Sequence, residues 1–429
     1  MVYYTYLRVI ISRQPGNVMK NRTRLIIILG LLSAIGPFSI DMYLPGFPVI
    51  AASLHTTPEM LSYSLASYFI GICAGQLFLG PLLDRFGRKR PLYGGLTIYI
   101  LSSIGCAFAP TIEFLIVLRF FQAAGGCVGI VAPRAIIRDV FPVKENAKIF
   151  SLLILILGVS PIIAPTTGGY ITAHFGWHNI FIILSIITFL ILLAVIFYLP
   201  ESKQPDPTFS LRPRPILANF KKVITNPQFY TYSLTGAMAS AGLYAYLAGS
   251  PFVFMDLYHV TGQHYGWIFA IIAAGLITSS QLNNILLRKY TSGQIIRATL
   301  SLQCIIVLIL VLGTYNSWLG LYGTITCIFF YLCCQGFSFP NSSALSMAPF
   351  TKEAGSASAL MGSIQMALGA GSSALVGLLS NGTAIPMTAV MGGCSITAFI
   401  ILMIGRRTLI EKCKIEDVEE QSFELIEKY

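Results

Sequence analysis

The chain has 429 residues, 55% of them hydrophobic and only 10% charged. A soluble domain carries about 25% charged residues, so the composition speaks against a soluble enzyme or a nucleic-acid-binding module. The net charge of +11 then needs an explanation other than a polyanionic partner.

The apolar residues fall in runs long enough to cross a bilayer, which takes about 20 residues per helix. Twelve spans are predicted, at 25–50, 58–82, 91–110, 111–137, 147–171, 178–200, 228–255, 264–287, 294–313, 317–340, 355–379 and 384–405. If residues 1–24 start inside, every Lys and Arg outside the spans falls in an inward segment: Arg8 to Arg24, Arg85 to Arg90, Arg138 to Lys148, Lys203 to Lys222, Arg288 to Arg297, Lys352, and Arg406 onward. This bias predicts cytoplasmic termini at both ends. The fold class is therefore an all-α integral membrane protein of twelve helices in two six-helix halves.

Residues 1–24 form a basic tail without a signal-peptide layout. Met19-Lys20-Asn21-Arg22 would itself make a natural start, so 1–18 are read as an upstream extension. The first half, 25–200, opens with a span that carries Asp41 in IDMYLPGFP. An acid inside a span costs about 2.5–3.5 kcal/mol on insertion scales and faces a cavity or a partner. GPLLDRFGRKRP, Gly80 to Pro91, lies between the second and third spans and sets Asp84 among four basic residues. Arg119, well inside the fourth span, is the basic counterpart of Asp41. The two are expected to pair or to share a hydrated cavity, with proton coupling as the chemistry. A static ion pair locking two helices is the other reading. The fifth span carries GVSPIIAPTTGG, where Pro161 and Pro165 kink the helix and Gly168 and Gly169 permit close packing.

Residues 201–227 are the longest polar connection, rich in proline and charge, and read as a cytoplasmic linker between the halves. In the second half, 228–405, Arg288-Lys289 occupies the place that GRKRP holds in the first. The tail 406–429 is acidic and is expected to be solvated or a short amphipathic helix. The nine cysteines avoid the outward loops, and the five histidines have no metal-ligand spacing. There is no nucleotide-binding loop and no hydrolase motif, so any transport is not expected to use ATP hydrolysis by this chain, and no cofactor is expected. Small molecules, protons and the bilayer are the expected partners, without nucleic acid, and one chain is read as the working unit.

At Gly80–Pro91 the chain resembles the major facilitator superfamily. Gly80, Leu82, Asp84, Arg85, Gly87, Arg88 and Lys89 match the signature of its loop between spans two and three. LRFFQAAGG, with Arg119 and Gln122, is similar to its fourth-span motif, and APTTGG to its fifth-span antiporter motif, with Ala164 in place of a glycine. IDMYLP, IIRDVFP and GWHNIF together resemble the Bcr/CflA drug exporters, the bicyclomycin- and chloramphenicol-resistance type. The resemblance covers about residues 25–405 and implies proton-coupled efflux of small amphiphilic compounds across a bacterial cytoplasmic membrane by alternating access. Uptake of a metabolite on the same fold is the alternative. It also implies that Asp84 latches against the start of the eleventh span near Ser356, with Arg134 or Arg138 completing the charge network. Tyr43, Tyr68, Gln122, Tyr244 and Tyr246 are the candidate substrate contacts.

Overall fold

The computed structural model describes the backbone of residues 15–141, 143–206, 213–350 and 353–427. No strand occurs among these residues. The first half comprises α1 (Pro15–Asp41), a 3-10 turn (Leu44–Gly46), α2 (Phe47–Ser53), α3 (Pro58–Phe86), α4 (Lys89–Ala107), α5 (Ile112–Gly126), α6 (Val128–Val140), α7 (Val143–Phe175) and α8 (His178–Tyr198). The second comprises α10 (Pro227–Pro251), a π-helical turn (Phe252–Leu257), α11 (Gly262–Leu286), α12 (Ser292–Tyr315), α13 (Gly320–Met347), α14 (Ala354–Leu378) and α15 (Ile385–Glu427), with α9 (Pro213–Ile224) between the halves. Among the described residues, ten runs of helix are long and apolar enough to cross a membrane, including Arg22–Ser53 and Ile112–Val140 as single spans. The helices α4 and α7 pack among them and complete the twelve.

Three sequence expectations change. The first span is not one helix: it breaks after Asp41 and resumes at Phe47. Pro45 and Pro48 sit in the first turns of the 3-10 turn and α2, where a missing N–H costs nothing. The linker, read as a polar, proline-rich connection, holds a helix: α9 forms within it and buries Val223 against Phe229 and Ala357. The last span runs on without interruption to Glu427, 43 residues in all. That is about 65 Å of helix, more than twice a hydrocarbon core of about 30 Å. No Gly or Pro follows Gly405 to stop it, and Glu- and Lys-rich sequence propagates helix well.

Several serines within the spans are satisfied locally. Hydroxyls of Ser33, Ser39, Ser103 and Ser160 each donate to the carbonyl four residues back, which removes an unpaired polar group from an apolar setting.

The halves meet along two helix pairs, α3 with α14 and α7 with α11. At the end remote from Gly80–Pro91, here the far end, the contacts are close. Ser380 Oγ donates to Glu59 Oε1 at 2.8 Å, Ser373 Oγ to the Ser62 carbonyl at 3.2 Å, and Ser62 Oγ to the Ala248 carbonyl at 3.3 Å. At the basic end the halves part around a cleft of about 240 Å³.

Candidate transport site

Asp41 is the last residue of α1 and only 5% exposed. It forms part of the wall of a cavity of about 180 Å³ between the halves. Pro37, Ile40 and Pro161 line it from the first half; Tyr246, Phe269 and Leu276 are among those lining it from the second. Among the described residues Asp41 makes no hydrogen bond or ion pair, and the buried Tyr246 hydroxyl also lacks a hydrogen-bond partner. The cavity is thus an apolar chamber with one carboxylate and one phenol free to engage what enters it.

Arg119 is fully buried on α5 but does not reach Asp41. Its Nη1 donates to Gln122 Oε1 at 2.6 Å, and Gln122 Nε2 donates to Ser103 Oγ at 2.7 Å. The guanidinium carbon lies 4.1 Å from the Tyr68 ring centroid and 4.7 Å from that of Tyr43. Nε and Nη2 have no hydrogen-bond partner. The Asp41–Arg119 ion pair expected from the sequence is therefore not formed; aromatic faces answer the cation instead. The reason lies in the break. Asp41 closes α1, whereas Tyr43 stands in the turn that follows and lies against Arg119, which leaves Asp41 on the cavity wall with residues of α10 and α11.

This arrangement redistributes the candidate substrate contacts. Tyr43, Tyr68 and Gln122 are turned to Arg119, and Tyr244 packs on Phe69 with ring centroids 4.6 Å apart. Of the five, Tyr246 alone is part of the Asp41 cavity wall. Its neighbours Phe269, Ile272 and Leu276 carried no signal in the sequence, because apolar residues at helical spacing look alike whether they face lipid or a cavity.

On α7, Pro161 borders the same cavity, and the two glycines face different halves. A Cβ at Gly168 would collide with the backbone of Met42, and one at Gly169 would lie 2.7 Å from the Gly262 carbonyl of α11. Only glycine allows these approaches, so the run is the far-end seam between α1, α7 and α11.

The loop Gly80–Pro91 is bound up with the segment after α8. Gly87 caps α3 with φ +79°, and a Cβ there would also crowd Glu201 Oε2 and the Lys203 carbonyl, both at 3.1 Å. Arg88, 5% exposed, donates through Nε to Asp139 Oδ2 at 2.7 Å and through Nη1 to Asp84 Oδ1 at 3.1 Å. Burial works against the Arg88 charge, but Asp139 and Asp84 outweigh it and hold the guanidinium more firmly protonated than usual. Lys203 Nζ reaches Asp84 Oδ1 at 2.7 Å. Glu201 accepts from the backbone N–H of Arg88 at 2.7 Å and of Lys89 at 3.2 Å. Asp84 and Ser356 border the same cleft without a hydrogen bond between them. Arg134 and Arg138 border it too, but neither joins the network. Its α6 member is Asp139, one position on and so about 100° further round the helix.

The model of the Major Facilitator Superfamily matches residues 29–374. The chain belongs to this superfamily. Among its relatives, the "Uncharacterized MFS-type transporter YdgK" of Bacillus subtilis (strain 168) is 34% identical over 393 residues, 90% of this chain and 94% of that protein. The "Bicyclomycin resistance protein homolog" of Haemophilus influenzae is 30% identical over 384 residues, 90% and 96% of the two chains. The "Multidrug resistance protein MdtL" of Escherichia coli O81 is 29% identical over 387 residues, 89% and 95%. In fold, the chain is similar to a D-xylose–proton symporter with a TM-score of 0.71 at 13% identity, covering 89% of this chain and 97% of the other. It is also similar to an inward-facing, unoccupied bacterial homologue of the human lysosomal transporter Spinster, with a TM-score of 0.65 at 12% identity, covering 92% and 96%. As a major facilitator, the chain is a multi-pass membrane transporter and not an enzyme. The helix pairs α3–α14 and α7–α11 join the halves of this transporter.

Proposed function

We propose that this chain exports small amphiphilic compounds from the cytoplasm, across a bacterial inner membrane, in exchange for protons. The observation that carries the reading is Asp41: a buried carboxylate without a partner, at the wall of an apolar cavity between two halves. An ionised carboxylate is expensive there, and a proton is the cheapest way to neutralise it. Substrate and proton then compete for one chamber, which is the condition for exchange. The names of two relatives, a bicyclomycin resistance homologue and a multidrug resistance protein, favour export over metabolite uptake. The positive-inside bias puts the basic end, and its cleft, in the cytoplasm.

On this reading the chain is closed outwards and parted inwards. Asp84 is held by Arg88 and Lys203 instead of by the start of α14, as suits a latch released in an inward state. Arg119, in its aromatic cage, acts on Asp41 only through the shape of the site.

A susceptibility panel on deletion and overexpression strains that includes bicyclomycin identifies a substrate, and everted vesicles test the coupling. Asp41→Asn is expected to abolish proton-driven substrate accumulation while sparing substrate exchange without a gradient. Unchanged proton-driven movement in Asp41→Asn would overturn the assignment.

A further inference from the structure

One surface cavity has no place in the transport reading. It is a groove of about 440 Å³ at the basic end, where α11 passes into α12, lined by Leu286, Tyr290, Gln294, Ile295, Arg297 and their neighbours. On the same two helices, Leu282, Ile285, Leu302 and Ile305 are 46–60% exposed, apolar surface that lipid covers. The groove therefore lies where this apolar surface meets the basic loop. Arg297 is five residues into α12, about 7.5 Å along its axis, and it is exposed. Arg288 and Lys289 stand exposed on the connecting turn, and the Lys289 ammonium lies 5.5 Å from the Tyr290 ring centroid.

Among the described residues these three cations have no acidic answer. Not one Asp or Glu occurs between Asp256 and Glu353, and among the described residues Arg288, Lys289 and Arg297 form no ion pair. The loop of the first half is different: there Asp84, Asp139 and Glu201 engage Arg88 and its neighbours internally. The positive-inside rule accounts for the sign of the charges at 288–297. It does not account for a cation one and a half turns into a span beside a groove with an apolar floor.

We propose that this groove binds one anionic phospholipid of the leaflet at the basic end. Its phosphate lies between Arg297 and the Arg288-Lys289 pair, and an acyl chain runs over Leu286 and Ile295. A phosphate supplies the missing negative charge, and the chain covers apolar surface next to it. Because α11 also forms a wall of the Asp41 cavity, a lipid held at its end loads a helix that the transport cycle must move.

The test uses the purified full chain in detergent, with native mass spectrometry and thermal melting. Long-chain phosphatidylglycerol is expected to be retained and to raise the melting temperature, and phosphatidylcholine is not. Removing one cation should weaken retention about fivefold, and Arg288→Gln, Lys289→Gln and Arg297→Gln together on the order of a hundredfold. Arg214→Gln with Lys221→Gln, exposed on α9, which packs on α10 and α14, should change nothing. If the triple variant does not fold, the single pair decides: Arg297→Gln weakens retention and Arg297→Lys restores most of it. Equal retention of both lipids, or undiminished retention in the Arg288, Lys289 and Arg297 variants, overturns the proposal. Stabilisation by inorganic phosphate or glycerophosphate alone would make it a soluble-anion site and overturn it equally.

Discussion

Arg119 spends its charge on rings. Between Tyr43 and Tyr68, with Gln122 on one nitrogen, it holds the fourth span to the break in the first. A desolvated cation–ring contact contributes about 2 kcal/mol, yet replacing a buried charge with an apolar group of similar volume is often neutral or stabilising. Arg119→Met is therefore expected to melt within a few degrees of the wild type, whereas Arg119→Ala leaves a cavity and costs about 3 kcal/mol. Chemical denaturation or a melting series distinguishes these outcomes. If Arg119→Met melts as low as Arg119→Ala, the charge itself carries stability and the cage is an electrostatic brace. The residue types were legible in the sequence: one acid and one base deep in spans. Their partners were not, because pairing depends on which way each helix is turned.

At the scale of the helix, α7 is the element whose composition predicted most. Its prolines and glycines announced close contact, and the contact is there, with Met42 on one side and Gly262 on the other. Gly169→Val should push α7 from α11 and shift the population towards an open far end. Ser62, buried at the seal, is the reporter: Ser62→Cys should react several-fold faster with a membrane-impermeant maleimide when Gly169→Val is added, above the background of the native cysteines. An unchanged rate would mean that the seam does not control closure. The broken first span and the helix inside the linker were less legible. Both sit in Pro-rich sequence, where short helices start readily but apolar periodicity is too brief to mark them.

At the scale of the whole molecule, each end of the α3–α14 pair carries an acid. Glu59 is engaged with Ser380 across the halves, and Asp84 is turned aside to Arg88 and Lys203. If Asp84 is a latch, Asp84→Asn should lower turnover several-fold while leaving apparent substrate affinity within roughly twofold. A loss confined to affinity would place Asp84 in the binding site instead. Arg88→Ala is different in kind. It removes the guanidinium from Asp139, while Lys203 still holds Asp84; breaking a fully buried pair costs about 3–5 kcal/mol and a part-exposed one less, so a clear drop in melting temperature is expected. Asp139→Asn, which keeps a hydrogen-bond acceptor, should cost less.

The sequence alone was enough for the twelve spans, their division into two sets of six and the family signature at Gly80–Pro91. These are properties of consecutive residues: the length of an apolar run, the side on which charges collect, the spacing within a loop. What met across the bundle was decided only in three dimensions. Asp41 faces an apolar chamber, Arg119 is enclosed by rings, and Asp84 is held by Lys203, more than a hundred residues away along the chain. The physical reason is that a helix states its buried faces by periodicity, but in a membrane nearly every face is apolar. The rotation of each helix, and so the partner of each polar side chain, is settled by close packing between helices and not by hydrophobic pattern.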